Sequence, residues 1–159
     1  MLKNLWHRIK NPDTPQKVIF LDIDGVMNHE TSEEDMDGTC LYQLRRIVTS
    51  TDAKLVLTSS WKMYFLRGDD NPVRKYFENR LKSFGMELYD IAPNLGTGKR
   101  ATEIKAWLKE HPEFKSYVIL DDNMFPGFQR MKEHLCMTDW RNGGLTAEHA
   151  DRAIEILNR

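Results

Sequence analysis

Three short, continuous apolar runs constrain the fold of this chain more than any other feature. They cover residues 18–21, 55–57 and 117–120, and the first of them lies between Pro15 and Gly25. A run of this kind is typical of a strand that is buried on both faces, as in a parallel sheet. The chain is therefore expected to build its core around a sheet that is covered on both sides.

Segments with the apolar spacing of helices alternate with these runs. They lie at residues 41–48, 73–84, 101–108 and 150–157, and weaker strands are expected at residues 86–91 and 135–137. Pro72 suits the start of the second helix, and Thr146 suits the N-cap of the last. This alternation predicts an α/β fold with a mainly parallel five-stranded sheet between layers of helices.

The composition agrees with one compact domain and excludes several classes of protein. The 159 residues contain 23 Lys plus Arg against 24 Asp plus Glu, a net charge of −1. This balance excludes a strongly basic nucleic-acid coat and an acidic disordered tail, although a local basic patch is compatible with it. Cys40 and Cys136 are too few for a disulfide framework and fit a reducing compartment, so we expect a cytoplasmic protein. The sequence has no apolar run long enough to span a membrane.

Residues 1–16 are expected to form an extension ahead of a single domain at residues 17–159. The apolar residues of this extension have the spacing of an amphipathic helix, namely Leu2, Leu5, Trp6 and Ile9. Such a helix would pack on the domain or on a second copy of the chain, so an oligomer formed through it is one expectation. Contact with a membrane surface is the alternative.

Acidic residues follow the first apolar run directly, as Asp22-Ile23-Asp24-Gly25. Residues two apart on an extended chain point the same way, so the two carboxylates would repel each other. A folded chain keeps that arrangement when a cation compensates, and Mg²⁺ prefers carboxylate, water and phosphate oxygens. Gly25 would let the chain turn sharply and bring backbone N–H groups to an anion. The alternative is a polar turn without further function.

Polar residues also follow the second and fourth strands. The second is followed by three hydroxyl side chains, Thr58, Ser59 and Ser60, and the fourth by the acid pair Asp121 and Asp122. Hydroxyl and N–H groups can hold phosphate oxygens, but both sets of residues can also cap the helices that follow. Because parallel sheets bind ligands beyond the carboxyl ends of their strands, these side chains are candidates for one site.

Two cations, Lys99 and Arg100, open the helix that leads to the fourth strand. A cation at a helix N-terminus opposes the helix dipole, which favours a functional role over a merely solvated one. The segment is not a phosphate-binding P-loop, because Pro93 stands where that motif needs glycine and Arg100 where it needs Ser or Thr. The chain thus carries, in order, an acid pair, a hydroxyl, a cation and a second acid pair. Each signal is weak alone, but all four in this order are improbable by chance.

These four segments resemble the motifs of the haloacid dehalogenase (HAD) superfamily of Mg²⁺-dependent phosphohydrolases. VIFLDIDGV at residues 18–26 looks like the first motif, KLVLTS at 54–59 the second, Lys99 the third and YVILDD at 117–122 the fourth. The resemblance spans about residues 17–158 and implies a Rossmann-like three-layer sandwich. A narrower similarity, to small HAD domains of bacterial and phage RNA-repair proteins, lies in the runs TDAKLVLTSSWK, EIKAWLKEH and VILDD.

The resemblance implies a role for each motif residue. Asp22 would be the nucleophile that forms an aspartyl-phosphate, and Asp24 would protonate the leaving oxygen and then activate water. Ser59 would bind the phosphoryl oxygens, and Lys99 would neutralise charge on Asp22 and the phosphate. The implied Mg²⁺ ligands are Asp22, the backbone carbonyl of Asp24, and Asp122, with Asp121 beside them or sharing the ligation.

Further phosphate contacts are expected from residues next to these positions, namely Gly25, Ser60 and Arg100. Two alternatives stay open. Thr58 or Ser60 could take the role of Ser59, and Arg100 could take the role of Lys99.

The resemblance implies an enzyme, a Mg²⁺-dependent phosphomonoester hydrolase. Fewer than 30 residues separate Gly25 from the second strand, which leaves room only for a minimal cap, a small flap at residues 28–38. Open sites in this superfamily often serve bulky substrates, so a nucleic-acid end is one expected substrate. The alternatives are a small-molecule phosphatase or nucleotidase and a non-enzymatic, metal-binding interaction module.

Two further features bear on a nucleic-acid substrate. Trp61 follows the serines and would stack on a base, or else pack in the core. Eight basic residues would form a basic rim or simply solvate their helices: Arg45, Arg46, Lys62, Arg67, Arg74, Lys75, Arg80 and Lys82.

Overall fold

The computed structural model describes residues 15–159. The amphipathic helix predicted around residues 2–9 lies outside that range. Within the range, no helix is both long enough and apolar enough to cross a bilayer.

Five strands form one parallel sheet, as the sequence predicts. They are β1 (Gln16–Leu21), β2 (Lys54–Leu57), β3 (Leu88–Ile91), β4 (Phe114–Asp121) and β5 (Leu135–Met137). Their order is β3-β2-β1-β4-β5, and each neighbouring pair is parallel. The chain extends the sheet from β1 through β2 to β3, and then crosses to add β4 and β5 on the other side. The strand order reverses beside β1, which is where open parallel sheets bind their ligands.

The described residues contain five α-helices: α1 (Gly38–Thr51), α2 (Lys62–Phe65), α3 (Pro72–Ser83), α4 (Arg100–Glu110) and α5 (Ala147–Leu157). Proline stands in the first turn of α3, and the preceding Asn71 side chain accepts the N–H groups of Val73 and Arg74. Thr146 precedes α5 in a capping box with His149. The sequence does not predict α2, because four residues are too few for apolar spacing to show.

Two apolar cores lie on the two faces of the sheet, which confirms the three-layer sandwich. β1 contributes to both: Ile19 and Leu21 face the core with α1, α3 and α5, whereas Val18 and Phe20 face the core with α4. The Phe20 ring meets the Trp107 ring of α4 edge-on, with 5.4 Å between the centroids. Because β1 is packed on both faces, its position is fixed, and so is the position of the residues that directly follow it.

Candidate active site

The acid pairs predicted at the ends of β1 and β4 meet at the carboxyl edge of the sheet. Leu21 and Leu120 are register partners, and the N–H of Asp22 still donates to the Leu120 carbonyl at 3.0 Å. One carboxylate oxygen from each of Asp22, Asp121 and Asp122 lies within 4.8 Å of the others. We call these three residues the acid cluster.

A guanidinium group lies against the acid cluster. Arg100, the first residue of α4, places Nη1 2.7 Å from Asp121 Oδ2 and 3.3 Å from Asp22 Oδ1. The Asp121 side chain is 0% exposed and that of Arg100 is 11% exposed, so water screens these contacts poorly. The guanidinium also lies over the Phe125 ring, with 4.4 Å between Cζ and the ring centroid. Arg100 is therefore held on several sides.

All three carboxyl groups of the acid cluster have raised pKa values. Burial raises the pKa of Asp22, and the nearby Arg100 offsets only part of that effect. Burial, followed by the charge of Asp22, raises the pKa of Asp121 to about 6 in spite of its ion pair. The same two causes raise the pKa of Asp122. Three carboxyl groups share one guanidinium, so a further cation would stabilise their ionised forms.

The donor atoms of the acid cluster suit Mg²⁺. They are carboxylate oxygens, the ligands that this hard cation prefers. Both oxygens of Asp121 already have partners, since Oδ2 accepts from Arg100 and Oδ1 accepts from the N–H of Asn123 at 3.0 Å. Asp22 Oδ1 also lies against Arg100, so Asp122 offers the most available oxygens of the three, while Asp121 fixes the guanidinium.

Arg100, and not Lys99, is the cation that contacts Asp22. The Lys99 side chain is exposed and makes no hydrogen bond or ion pair with the residues that the structure describes. Its backbone carbonyl accepts the N–H of Glu103 at 2.9 Å, so Lys99 stands at the N-cap of α4, one position before Arg100. Of the two alternatives left open by the sequence, the geometry favours Arg100.

Asp24 lies at the mouth of the site, close enough to the acid cluster for its charge to contribute to the raised pKa values of Asp22 and Asp122. It is exposed, and both of its carboxylate oxygens accept hydrogen bonds. Asn28 Nδ2 donates to Oδ1 and Trp61 Nε1 donates to Oδ2, each at 3.2 Å. Two aspartates that are two residues apart thus have different surroundings, with Asp22 at the floor of the site and Asp24 at its edge.

Gly25 brings the backbone of the loop against the acid cluster. Its φ is +78°, and a Cβ atom at this position would lie 2.0 Å from Asp122 Oδ2, far inside van der Waals contact. The Gly25 N–H donates to Asn28 Oδ1 at 3.0 Å, and its carbonyl accepts from Thr138 Oγ1 at 2.7 Å. The sharp turn expected at this glycine is present, and no larger residue fits it.

The three hydroxyl residues after β2 have three different surroundings. Ser59 is buried close enough to Asp22 for its hydroxyl to lower the pKa of that carboxyl group, and its Oγ accepts the N–H of Trp61 at 3.3 Å. Thr58 is also buried, and its Oγ1 has no hydrogen-bond partner among the described residues. Ser60 is exposed. Of the three, Ser59 is therefore the hydroxyl that contacts the acid cluster.

A buried ion pair, which sequence reasoning missed, lies next to the site. Lys62 Nζ is 2.6 Å from Glu103 Oε2, and the two side chains are only 7% and 4% exposed. Lys62 also donates to the Pro93 carbonyl at 3.1 Å, and Glu103 Oε1 accepts the N–H of Leu95 at 2.8 Å. The sequence holds one signal of this pair, because Glu103 interrupts the apolar stripe of α4.

A second group of possible metal ligands, His29, Asp37 and Cys40, has a structural explanation. Asp37 caps α1 through Oδ1, which accepts the N–H groups of Thr39 and Cys40, and its Oδ2 lies 3.5 Å from His29 Nε2. Burial raises the pKa of the Cys40 thiol, which disfavours the thiolate that a metal would need. Helix capping and the contact between His29 and Asp37 account for this group of side chains.

The fold and the site together define a class of protein, the HAD-superfamily domains. The sheet brings an acid pair, a hydroxyl, a cation and a second acid pair to the carboxyl ends of its central strands. The chain belongs to the family of HAD domains in Swiss Army Knife RNA repair proteins, whose family model matches residues 18–150. No curated protein and no solved structure matches the chain. Membership of this family indicates a hydrolase of the phosphatase type.

Proposed function

We propose that the protein is a Mg²⁺-dependent phosphomonoester hydrolase that acts through an aspartyl-phosphate on Asp22. One observation carries this proposal: the buried Asp22 carboxylate contacts a guanidinium, Arg100, and a buried hydroxyl, Ser59, beside two further acids. A carboxylate is an adequate nucleophile toward phosphorus when cations and donors hold the anionic phosphate against it. The family of the chain supports the same reaction class.

Asp22 and Asp24 have different roles in the proposed reaction, nucleophilic attack and proton transfer. In the first half-reaction, a carboxylate oxygen of Asp22 bonds to phosphorus, the bond to the leaving oxygen breaks, and that oxygen takes a proton from Asp24. In the second, a water oxygen bonds to phosphorus and gives a proton to Asp24, and the bond between phosphorus and Asp22 breaks. Inorganic phosphate leaves, and both aspartates return to their starting states. The exposure of Asp24 supports this role, because both the leaving group and the water must reach it.

Donors on several sides stabilise the charge that spreads over the phosphoryl oxygens in the transition state. Arg100 and Ser59 supply two of them, and Asp121 fixes the direction of the guanidinium. The exposed Ser60 and Lys99 are proposed as further contacts of the substrate, whereas the Gly25 N–H, expected to meet an anion, already donates to Asn28 Oδ1.

Mg²⁺ would be held by Asp22, Asp122 and the backbone carbonyl of Asp24. When bound, it supplies positive charge against the phosphoryl oxygens. The excess of carboxyl groups over cations in the acid cluster supports this assignment.

We propose that the substrate is bulky, with a nucleic-acid end as the first candidate. Residues 22–37, between β1 and α1, contain neither a helix nor a strand in the described structure, so that loop adds no large cap over the site. The family description, which names RNA repair proteins, supports a nucleic-acid end.

The basic rim expected from the sequence is largely neutralised. Four of its members pair with acids on the surface, namely Arg46, Arg74, Lys75 and Arg80. Lys62 is buried against Glu103. Three members make no ion pair with the residues that the structure describes, namely Arg45, Arg67 and Lys82, so a nucleic-acid end needs other contacts besides charge.

The cellular compartment and the oligomeric state of the protein are also proposed. Cys40 and Cys136 are free and buried, which supports a reducing compartment and hence the cytoplasm. An oligomer formed through residues 1–16 remains a prediction.

The test is a phosphate-release assay, run with Mg²⁺ and with chelator, on oligonucleotides that carry terminal phosphates and on free nucleotides. We expect turnover only with Mg²⁺ and a higher kcat/KM for oligonucleotides. Better turnover of free nucleotides would favour the small-molecule phosphatase. Mg²⁺ binding without turnover of any phosphoester would favour the non-enzymatic module.

Arg100 and Lys99 form a matched pair that tests the cation assignment. Arg100→Ala should lower kcat by about a hundredfold, the effect of removing one preorganised donor from a transition state. Lys99→Ala should change kcat only a few-fold. A larger loss of kcat in Lys99→Ala than in Arg100→Ala would show that Lys99 is the cation that acts on the phosphate.

A further inference from the structure

Trp61 forms hydrogen bonds with two residues of the proposed reaction centre, Ser59 and Asp24. Its backbone N–H donates to Ser59 Oγ at 3.3 Å, and its indole Nε1 donates to Asp24 Oδ2 at 3.2 Å. Ser59 in turn contacts Asp22. The backbone of Trp61 is therefore held at the phosphate-binding hydroxyl, and its indole at the carboxyl group that gives a proton to the leaving oxygen.

This position decides which part of a substrate meets Trp61. The leaving oxygen must reach the Asp24 carboxyl group to take its proton. Trp61 packs against the core, as one of its two expected roles requires, but stays partly exposed, and the group that carries this oxygen therefore lies beside the indole. This step rests on the proposed function, because it uses the role of Asp24.

The surface next to the indole is aromatic and carries one cation. Tyr64, one helical turn along, meets the Trp61 ring edge-on, with 6.1 Å between the centroids. The guanidinium of Arg67 lies over the Tyr64 ring, 5.5 Å from its centroid. Met63 and Leu66 are exposed on the same segment. Flat rings with a single cation suit the π-face of a nucleobase better than a sugar or an acidic peptide.

We propose that Trp61 determines the specificity of the site by stacking on the base of the terminal nucleoside that carries the phosphate. Because five of the eight residues of the basic rim are paired with acids, stacking would supply much of the affinity for the leaving group, together with Arg67. The substrate would then be recognised by its last base, whatever the sequence before it.

The experiment compares two oligoribonucleotide substrates that differ only in the terminal nucleotide, which is intact in one and abasic in the other. One series carries the phosphate at the 3′ end and another carries it at the 5′ end. Each pair is assayed with the wild type, Trp61→Phe and Trp61→Leu. Both variants lose the bond to Asp24, but only the leucine variant also loses the aromatic face, so phenylalanine is the matched control.

For the intact substrate, we expect Trp61→Leu to have a kcat/KM about tenfold below that of Trp61→Phe, within the range of base stacking. For the abasic substrate, the two variants should be equal. Because the ratio of the two substrates is taken within each variant, a partly folded variant does not distort it. An equal ratio in all three proteins would overturn the proposal.

A binding measurement separates this inference from the proposed function. Quenching of tryptophan fluorescence is followed on the wild type and on Trp61→Phe as the two phosphorylated oligonucleotides are added. Stronger quenching by the intact substrate, lost in the variant, supports stacking even if no phosphate is released. Turnover without any preference for the intact base would leave the phosphatase standing and refute the role of Trp61.

Discussion

Two buried ionic groups lie at the same edge of the sheet, and they differ in their balance of charge. In the acid cluster, Asp22, Asp121 and Asp122 share Arg100, and all three carboxyl groups have raised pKa values. In the pair of Lys62 and Glu103, one cation meets one acid, and backbone groups bond to both. In the pair, the two charges neutralise each other and the backbone completes the hydrogen bonds, so no further ligand is needed. In the acid cluster, carboxyl groups outnumber cations, so a further cation is needed to stabilise their ionised forms.

Helix α4 connects the two groups. Arg100 and Glu103 stand three residues apart on it, so the pair with Lys62 fixes the helix that supplies the cation of the acid cluster. We therefore expect the balanced pair to matter for stability and the unbalanced cluster to matter for activity. The following changes test that division.

The largest expected effect is the loss of activity in Asp22→Asn. An amide is a poor nucleophile, so kcat should fall by at least about a thousandfold, which corresponds to roughly 4 kcal/mol of transition-state stabilisation. The midpoint of urea unfolding should stay the same or rise, because one of three neighbouring acids has been neutralised. Asp151→Asn, on the exposed face of α5, is the matched control and should keep full activity. Activity that survives in Asp22→Asn would refute the nucleophile.

The next largest effect concerns the balanced pair. Lys62→Met leaves the Glu103 carboxylate buried without its partner and should lower the free energy of unfolding by about 3–5 kcal/mol. The double variant Lys62→Met with Glu103→Leu should recover much of that loss. Lys75→Met, which breaks an exposed pair with Asp70, should have a much smaller effect. Urea unfolding measures all three, and a Lys62→Met protein as stable as the wild type would contradict this account.

Mg²⁺ should stabilise the protein through the acid cluster. At a concentration a hundredfold above its dissociation constant, the ion should raise the free energy of unfolding by about 2.7 kcal/mol. Asp122→Asn should lose most of this increase, while Lys62→Met should keep it because the pair takes no part in binding. If Mg²⁺ raised the free energy of unfolding of Asp122→Asn as much as that of the wild type, the ion would have to bind elsewhere.

The smallest expected effect is a pH dependence of the metal-free protein. The pKa of Asp121 is about 6 in the folded protein, against an ordinary value of 3.8 for a solvated aspartate, so the folded protein binds an extra proton between these values. The free energy of unfolding should therefore fall as the pH rises from about 4 to about 6, by on the order of 2 kcal/mol. Asp121→Asn, measured in chelator, should lack this part of the slope. Identical slopes in the two proteins would contradict the assignment.

The sheet could be predicted from the sequence because its signals are local. β1 and β4 each contain a continuous apolar run, and an acid pair at the end of each marks the edge of the sheet. Parallel pairing then brings Asp22 and Asp121 together without any further information. The meeting of the two acid pairs follows from the topology alone.

The contacts of the site could not be read in the same way, because they depend on side-chain directions. Lys99 and Arg100 are adjacent cations, and only the start of α4 decides that the second one reaches Asp22. The bond from Trp61 to Asp24 joins residues 37 positions apart, and no periodic pattern signals it. The partner of Lys62 likewise becomes visible only once α4 is packed.

The turn at Gly25 restricts which residues evolution can accept at this position. Alanine, the smallest chiral replacement, would already place an atom 2.0 Å from Asp122 Oδ2. A side chain at this position would push the Asp122 carboxyl group away from the acid cluster and would hold a positive φ that residues other than glycine rarely adopt. A saturation library at codon 25, selected for activity, should return glycine alone, whereas one at the exposed codon 60 should return many residues.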